Sequence, residues 1–158
     1  MLFLFVFGNT LERHVGPARH LAVFFCGGIL AFLLSLPFMP AGTGMLGASA
    51  AIFTVAACVT LIAPLRFSFL FLAPQGLVAI IYFFYNLAIV YDPSRIPGYE
   101  HNVAYAAHII GFLIGIPLGI ALSREWKKNL LITLGLFALY LLIISGAVGR
   151  LIEKLAGT

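Results

Sequence analysis

The chain has 158 residues, of which 63% are hydrophobic and only 9% are charged. Soluble domains average roughly one half apolar and one quarter charged residues, so a water-soluble fold of this length could not bury so much apolar surface. The solvent of this single domain is therefore lipid. The net charge of +4 is small and spread over several connections, which gives no basic cluster of the kind that binds nucleic acid.

Apolar stretches of nearly spanning length follow one another along the chain. Residues 1–7 are wholly apolar but provide only about a third of the ~20 residues that a crossing helix needs, and they resemble the end of a helix whose beginning is missing. The five spans that we predict are 21–36, 46–63, 68–91, 102–122 and 130–148. Polar or turn-forming segments separate them, at 8–20, 37–44, 64–67, 92–101 and 123–129. This pattern predicts an all-α, polytopic membrane helical bundle.

The loop charges predict the orientation of the bundle, because cytoplasmic loops carry an excess of Lys and Arg. Alternate connections contain the positive charges Arg13, Arg19, Arg66, Arg124, Lys127 and Lys128. Those connections are predicted to face the cytoplasm, whereas segments 37–44 and 92–101 are predicted to face the outside. The C-terminal Arg150 and Lys154 are the exception to the charge rule, because they would lie outside. We expect an integral, multi-pass protein of a prokaryotic plasma membrane.

Two side chains that are able to take part in catalysis lie near the outer ends of their predicted spans. Ser49 lies in the run 47–50, Gly-Ala-Ser-Ala, and His108 precedes Gly111 by three residues. Both would lie roughly 5–10 Å below the outer surface at the ~1.5 Å rise of a helix. A neutral imidazole is the usual base that activates a serine hydroxyl. Because neither span contains a carboxylate, the pair would be a dyad. A Ser–His pair inside the membrane indicates cleavage of peptide bonds there.

Neighbouring residues support this pairing. Phe53 follows Ser49 by four residues on the same helix face, where its ring could pack on the imidazole and fix its plane. The spacing of Gly111 and Gly115 allows another helix to approach closely. The small residues that we expect to face these glycines are Gly47, Ala48, Ala50 and Ala51.

The helix start around Ala48 and Ser49 provides backbone N–H groups that have no partner within the helix and can hold an oxyanion.

Each of these sequence features is weak evidence for catalysis when it is taken alone. A serine beside Gly and Ala in a membrane helix is most often a packing residue, bonded to its preceding turn. An intramembrane histidine, by contrast, is functional by default. The combination of depth, spacing and order along the chain favours catalysis.

Together these motifs resemble the rhomboid family of intramembrane serine proteases. The resemblance covers residues 1 to about 122: the run 7–12, Phe-Gly-Asn-Thr-Leu-Glu, then Gly16 and Arg19, the Gly-x-Ser-x motif at 47–50, and Ala107-His108-x-x-Gly111-x-x-x-Gly115. It implies that Ser49 is the nucleophile, His108 the general base and Phe53 the aromatic that stacks on it. The implied substrates are transmembrane proteins.

The chain departs from the family pattern in three places. Ala50 stands where many rhomboids have Gly. Residues 123–158 form an additional C-terminal transmembrane helix and short tail after the rhomboid-like core, 1–122. The family's first helix and the start of its second would precede Met1, with the Asn and His that help to bind the oxyanion. We therefore expect little or no turnover from this chain by itself.

Two other classes of function stay open. A catalytically inactive rhomboid-like membrane protein could bind transmembrane partners with the same scaffold. A small channel or transporter is disfavoured because the spans contain no Asp, Glu, Lys or Arg. Cys26 and Cys58 lie in apolar spans, which disfavours a disulfide, and they are too few for a metal site. We expect no metal and no cofactor, and the partners are the lipid bilayer and transmembrane substrates.

Overall fold

The computed structural model describes residues 1–38, 48–92 and 104–146. A π-helical turn, Leu4–Gly8, leads into a series of helices, which are α1, Asn9–Val15; α2, Pro17–Ser35, continued by a 3₁₀ turn at Leu36–Phe38; α3, Ser49–Ile62; α4, Gln75–Tyr91; α5, Tyr105–Leu122; and α6, Trp126–Ile144. Two short strands, β1, Phe67–Ser68, and β2, Ala73–Pro74, pair antiparallel between α3 and α4. The predicted all-α membrane bundle is confirmed.

Among the described residues, three helices are long and apolar enough to cross a membrane: Pro17–Phe38, Tyr105–Leu122 and Trp126–Ile144. Two of the five predicted spans contain α3 and α4, which are apolar but shorter than predicted, at 14 and 17 residues; that these two helices cross the membrane stays a prediction. For α3 the reason for the shorter length is its position, since 11 of its residues are buried inside the bundle. A helix enclosed by other helices does not need to match the thickness of the bilayer.

The segment 8–20, predicted as a connector, is mostly helical. The first helix continues through it to Val15 and ends at Gly16, whose φ of +84° suits glycine. The N–H of Gly16 donates to the carbonyl of Glu12 at 2.8 Å. Pro17 then starts α2, a position where its missing N–H costs nothing. Gly16 alone therefore separates α1 from α2.

The span predicted at 68–91 begins too early, because its first residues form the hairpin. Phe67 pairs with Pro74 and Ser68 with Ala73, and the N–H of Gln75 donates to the carbonyl of Arg66. Proline disfavours helical geometry in the residue before it, so α4 begins only after Pro74. The apolar residues of this stretch are surface residues of a hairpin rather than part of a span.

Close packing of α3 against α5 forms the centre of the bundle. A Cβ atom on Gly111 would collide with the carbonyl of Ala50, and one on Gly115 with the carbonyl of Thr54. Gly28 of α2 packs against Ala51 of α3. The predicted close approach at Gly111 and Gly115 is confirmed, although Ala51 contacts α2 rather than the glycines of α5.

Candidate active site

Ser49 and His108 lie side by side at one end of the bundle. The Oγ of Ser49 is 2.8 Å from Nε2 of His108, which is hydrogen-bonding distance. Ser49 is the first residue of α3 and His108 lies in the first turn of α5. The start of α3 is later than predicted, so Ser49 is at the helix end rather than inside the span. Its side chain is exposed, whereas His108 is buried.

Asn86 of α4 contacts the other nitrogen of the imidazole. Its Oδ1 is 2.7 Å from Nδ1 of His108, and its Nδ2 donates to the carbonyl of Tyr82 at 2.7 Å. A carbonyl can only accept, so the amide nitrogen must face Tyr82 and Oδ1 must face the imidazole. Nδ1 therefore carries the proton, which leaves Nε2 as an acceptor for the hydroxyl of Ser49. Asn86 fixes the tautomer that a general base requires.

Phe53 fixes the plane of the imidazole. Its ring lies parallel to that of His108, with an angle of 5° between the planes and 4.6 Å between the centroids. The spacing of four residues on α3 puts Ser49 and Phe53 on one face, as the sequence predicts. Tyr105, one turn before His108, contacts the imidazole edge-on at 6.1 Å between centroids. The imidazole is thus held by a hydrogen bond, a stacked ring and its own helix.

Side chains of α3 also bond to the backbone of α5 beneath the pair. Thr54 Oγ1 lies 2.9 Å from the carbonyl of Gly111 and 3.2 Å from that of Ala50, and its single proton is shared between them. One turn further along, Cys58 Sγ donates to the carbonyl of Gly115 at 3.3 Å. Both contacts depend on glycine, because any Cβ at these positions of α5 would separate the helices. These two contacts fix the position of α3 along α5, and so they hold Ser49 next to His108.

The expected oxyanion donors lie where a helix start provides them. Ala48 is the residue before α3 and Ser49 is the first in it, so their N–H groups precede the first intrahelical bond. The carbonyl of Ala48 accepts that bond, from the N–H of Ile52 at 3.0 Å. Gly47 lies outside the described residues. The backbone geometry is therefore compatible with an oxyanion site, and the role itself stays a prediction.

Two contributors to the site were missed in the sequence, Asn86 and Thr54. Asn86 is 3% exposed in a helix that is otherwise almost wholly apolar. A buried amide in such a helix is a functional signal by itself, and it could have been identified. The sequence does not show which residue of another helix the amide meets. The predicted dyad has no carboxylate to orient His108, and in the structure the amide of Asn86 takes that position instead.

The structure is a helical membrane bundle that carries a hydrogen-bonded Ser–His pair at one end. A family model, the Rhomboid domain, matches residues 1–125. This match covers most of the chain, which therefore belongs to the rhomboid family. In comparisons with curated proteins and with solved structures, no match reached significance. The helix α6 lies beyond the matched residues, and the division into a core at 1–122 and an additional segment at 123–158 stays a prediction.

Proposed function

We propose that this protein is an intramembrane serine protease in which Ser49 is the nucleophile and His108 the general base. The hydrogen bond between Ser49 Oγ and His108 Nε2, in a chain of the rhomboid family, is the observation that supports this most. A serine hydroxyl is unreactive at neutral pH without a base, and Nε2 is within reach of its proton. Family membership and geometry point to the same reaction.

The reaction would proceed in two halves. His108 takes the proton of Ser49 as Oγ attacks the scissile carbonyl, and the N–H groups of Ala48 and Ser49 hold the oxyanion of the tetrahedral intermediate. Nε2 then gives that proton to the leaving amine, which departs and leaves an acyl ester on Oγ. A water molecule, deprotonated by the same nitrogen, attacks the ester. This attack forms a second tetrahedral intermediate. When that intermediate collapses, Nε2 returns the proton to Oγ and the new carboxyl terminus is released.

The proposed substrates are transmembrane proteins, cut near the outer ends of their helices. Ser49 is exposed at the end of the bundle, so a peptide that enters there meets the hydroxyl before it meets the buried imidazole. A helical substrate hides its carbonyls in hydrogen bonds. We therefore expect segments with helix-breaking residues near the cleavage point to be cut preferentially.

The test is cleavage of single-span reporter proteins that are co-reconstituted with the protein in liposomes. Because slow turnover is expected, the product is accumulated over a long incubation and the cut position is determined by mass spectrometry. Ser49→Ala and His108→Ala should each abolish the product. Ser145→Ala, a change of the same size at the exposed end of α6, should leave it unchanged. Binding of the reporters with no more product than Ser49→Ala gives, even after the long incubation, would favour the alternative, an inactive rhomboid-like protein that binds transmembrane partners.

A further inference from the structure

A cleft of about 370 Å³ opens at the end of the bundle opposite Ser49. Ser49 begins α3 and Ile62 ends it, so at 1.5 Å per residue the two ends are roughly 20 Å apart. The residues that line the cleft include the polar His14, Arg66, Lys128 and Asn129 and the apolar Ile62 and Ile132. It combines positive charge with an apolar wall.

The hydrogen bonds around the cleft favour an anion. The last carbonyls of α3, which would repel one, are already occupied: Asn129 Nδ2 donates to Leu61 at 2.8 Å and to Ile62 at 3.1 Å. The first turn of α6, the positive end of its dipole, contributes Lys128 to the lining. Lys128 also pairs with Glu125 at 3.1 Å, but both side chains are about two-thirds exposed, and such a pair contributes little.

The hairpin beside the cleft indicates that lipid surrounds this end of the bundle. Its exposed residues include Phe69, at 85%, and Leu72, at 77%. Leu65, just before the hairpin, is 59% exposed and also lines the cleft. Water would oppose such exposure, whereas the boundary between headgroups and acyl chains favours it. Trp126 begins α6 at the same end, and tryptophan is enriched at this boundary. The cleft therefore opens at the level of the lipid phosphates.

We propose that this cleft binds the phosphate group of an anionic phospholipid. Arg66 and Lys128 hold the phosphate oxygens, Asn129 anchors α6 to the end of α3 behind them, and the glycerol end of an acyl chain lies along Ile62 and Ile132. Two independent observations carry the proposal, the cationic lining and the exposed apolar hairpin. It does not depend on the proposed proteolysis, because it involves a different end of the molecule.

The test uses Trp126, the one tryptophan of the chain. The protein is placed in nanodiscs of phosphatidylcholine and phosphatidylglycerol at a fixed ratio, with bromine on the acyl chains of one lipid at a time. Bromine quenches tryptophan only at short range, so the ratio of the two quenching curves gives the local preference for the anionic lipid. We expect phosphatidylglycerol to quench Trp126 several-fold more effectively than its bulk fraction predicts.

Matched variants separate a built site from diffuse attraction. Arg66→Gln/Lys128→Gln should remove the preference, because each cation near the surface contributes up to about fivefold to the attraction of an anionic lipid. Arg19→Gln/Arg124→Gln, which removes the same charge from exposed residues outside the cleft, should retain it. Equal losses in the two double variants would overturn the proposal. If the first double variant unfolds at a lower temperature, Arg66→Gln alone is used, with Arg19→Gln as its control.

A second arm distinguishes a lipid from free phosphate. Millimolar inorganic phosphate is added to the same nanodiscs, with chloride added to the same ionic strength as the control. A lipid phosphate anchored by its acyl chains should keep its preference in both. Loss of the preference in phosphate but not in chloride would show that the cleft takes the free ion, and it would contradict the lipid assignment.

Discussion

Asn86 Oδ1 accepts a hydrogen bond from Nδ1 of His108 at 2.7 Å, and this contact determines which nitrogen of the imidazole faces Ser49. The amide is itself fixed by its bond to the carbonyl of Tyr82. A histidine base needs a partner that selects its tautomer, a function for which a carboxylate is the familiar choice. Here a neutral amide does so, which avoids a buried charge in an apolar helix.

Replacing Asn86 by Leu should therefore lower the rate of cleavage with little change in substrate binding. The imidazole loses its orienting acceptor, and we expect a fall in kcat within the 10²–10⁴-fold range that general-base catalysis typically contributes. Asn86→Asp keeps an acceptor at the same place and should retain more activity than the Leu variant. Equal rates for Asn86→Leu and the unaltered protein would show that the contact does not position His108.

Phe53→Ala should reduce the rate more modestly. Stacked aromatic contacts contribute about 0.5–1.5 kcal/mol beyond the area that they bury, which corresponds to a loss of roughly two- to tenfold. Phe53→Tyr keeps the ring and should stay close to the unaltered rate. Initial rates on one reporter are sufficient to compare the three proteins. A loss in the Tyr variant as large as in the Ala variant would exclude stacking as the reason.

Gly111→Ala should destabilise the protein and separate the pair, because the new Cβ would meet the carbonyl of Ala50. Overpacking of this kind typically costs about 1–3 kcal/mol. Gly135→Ala is the matched control: a Cβ there meets nothing within 4 Å, and alanine favours the helix. Thermal unfolding in detergent micelles measures both. An unchanged midpoint for Gly111→Ala would contradict the close approach of α3 and α5.

Thr54→Val tests the bond between the helices without changing the shape of the side chain. Its hydroxyl bonds to Gly111 of α5, whereas that of Thr60, also buried in α3, bonds within its own helix to Ala57. Interhelical bonds of this kind contribute about 0.6 kcal/mol on average. We expect Thr54→Val to lower the unfolding midpoint and the cleavage rate more than Thr60→Val does. The reverse order would show that this bond does not fix the register.

The sequence predicts the parts of the site that depend on local spacing. Ser49 and Phe53 share a helix face because they are four residues apart, and Gly111 permits contact whatever its partner. The contacts of Asn86 and Thr54 depend on which helices are neighbours, and no local pattern specifies that. The hairpin was missed for another reason: a hydropathy scale gives the exposed apolar residues of a hairpin the same values as apolar residues inside a span.

The central claim is that His108 activates Ser49, and covalent labelling by a fluorophosphonate tests it without a known substrate. The probe reacts with an activated serine: Oγ bonds to phosphorus, fluoride leaves and the imidazole takes the proton. In liposomes, the account predicts a labelled protein whose modified peptide contains Ser49. Labelling should be absent in Ser49→Ala and His108→Ala but retained in Ser145→Ala. A protein that stays unlabelled, or that is labelled equally without His108, would contradict the account.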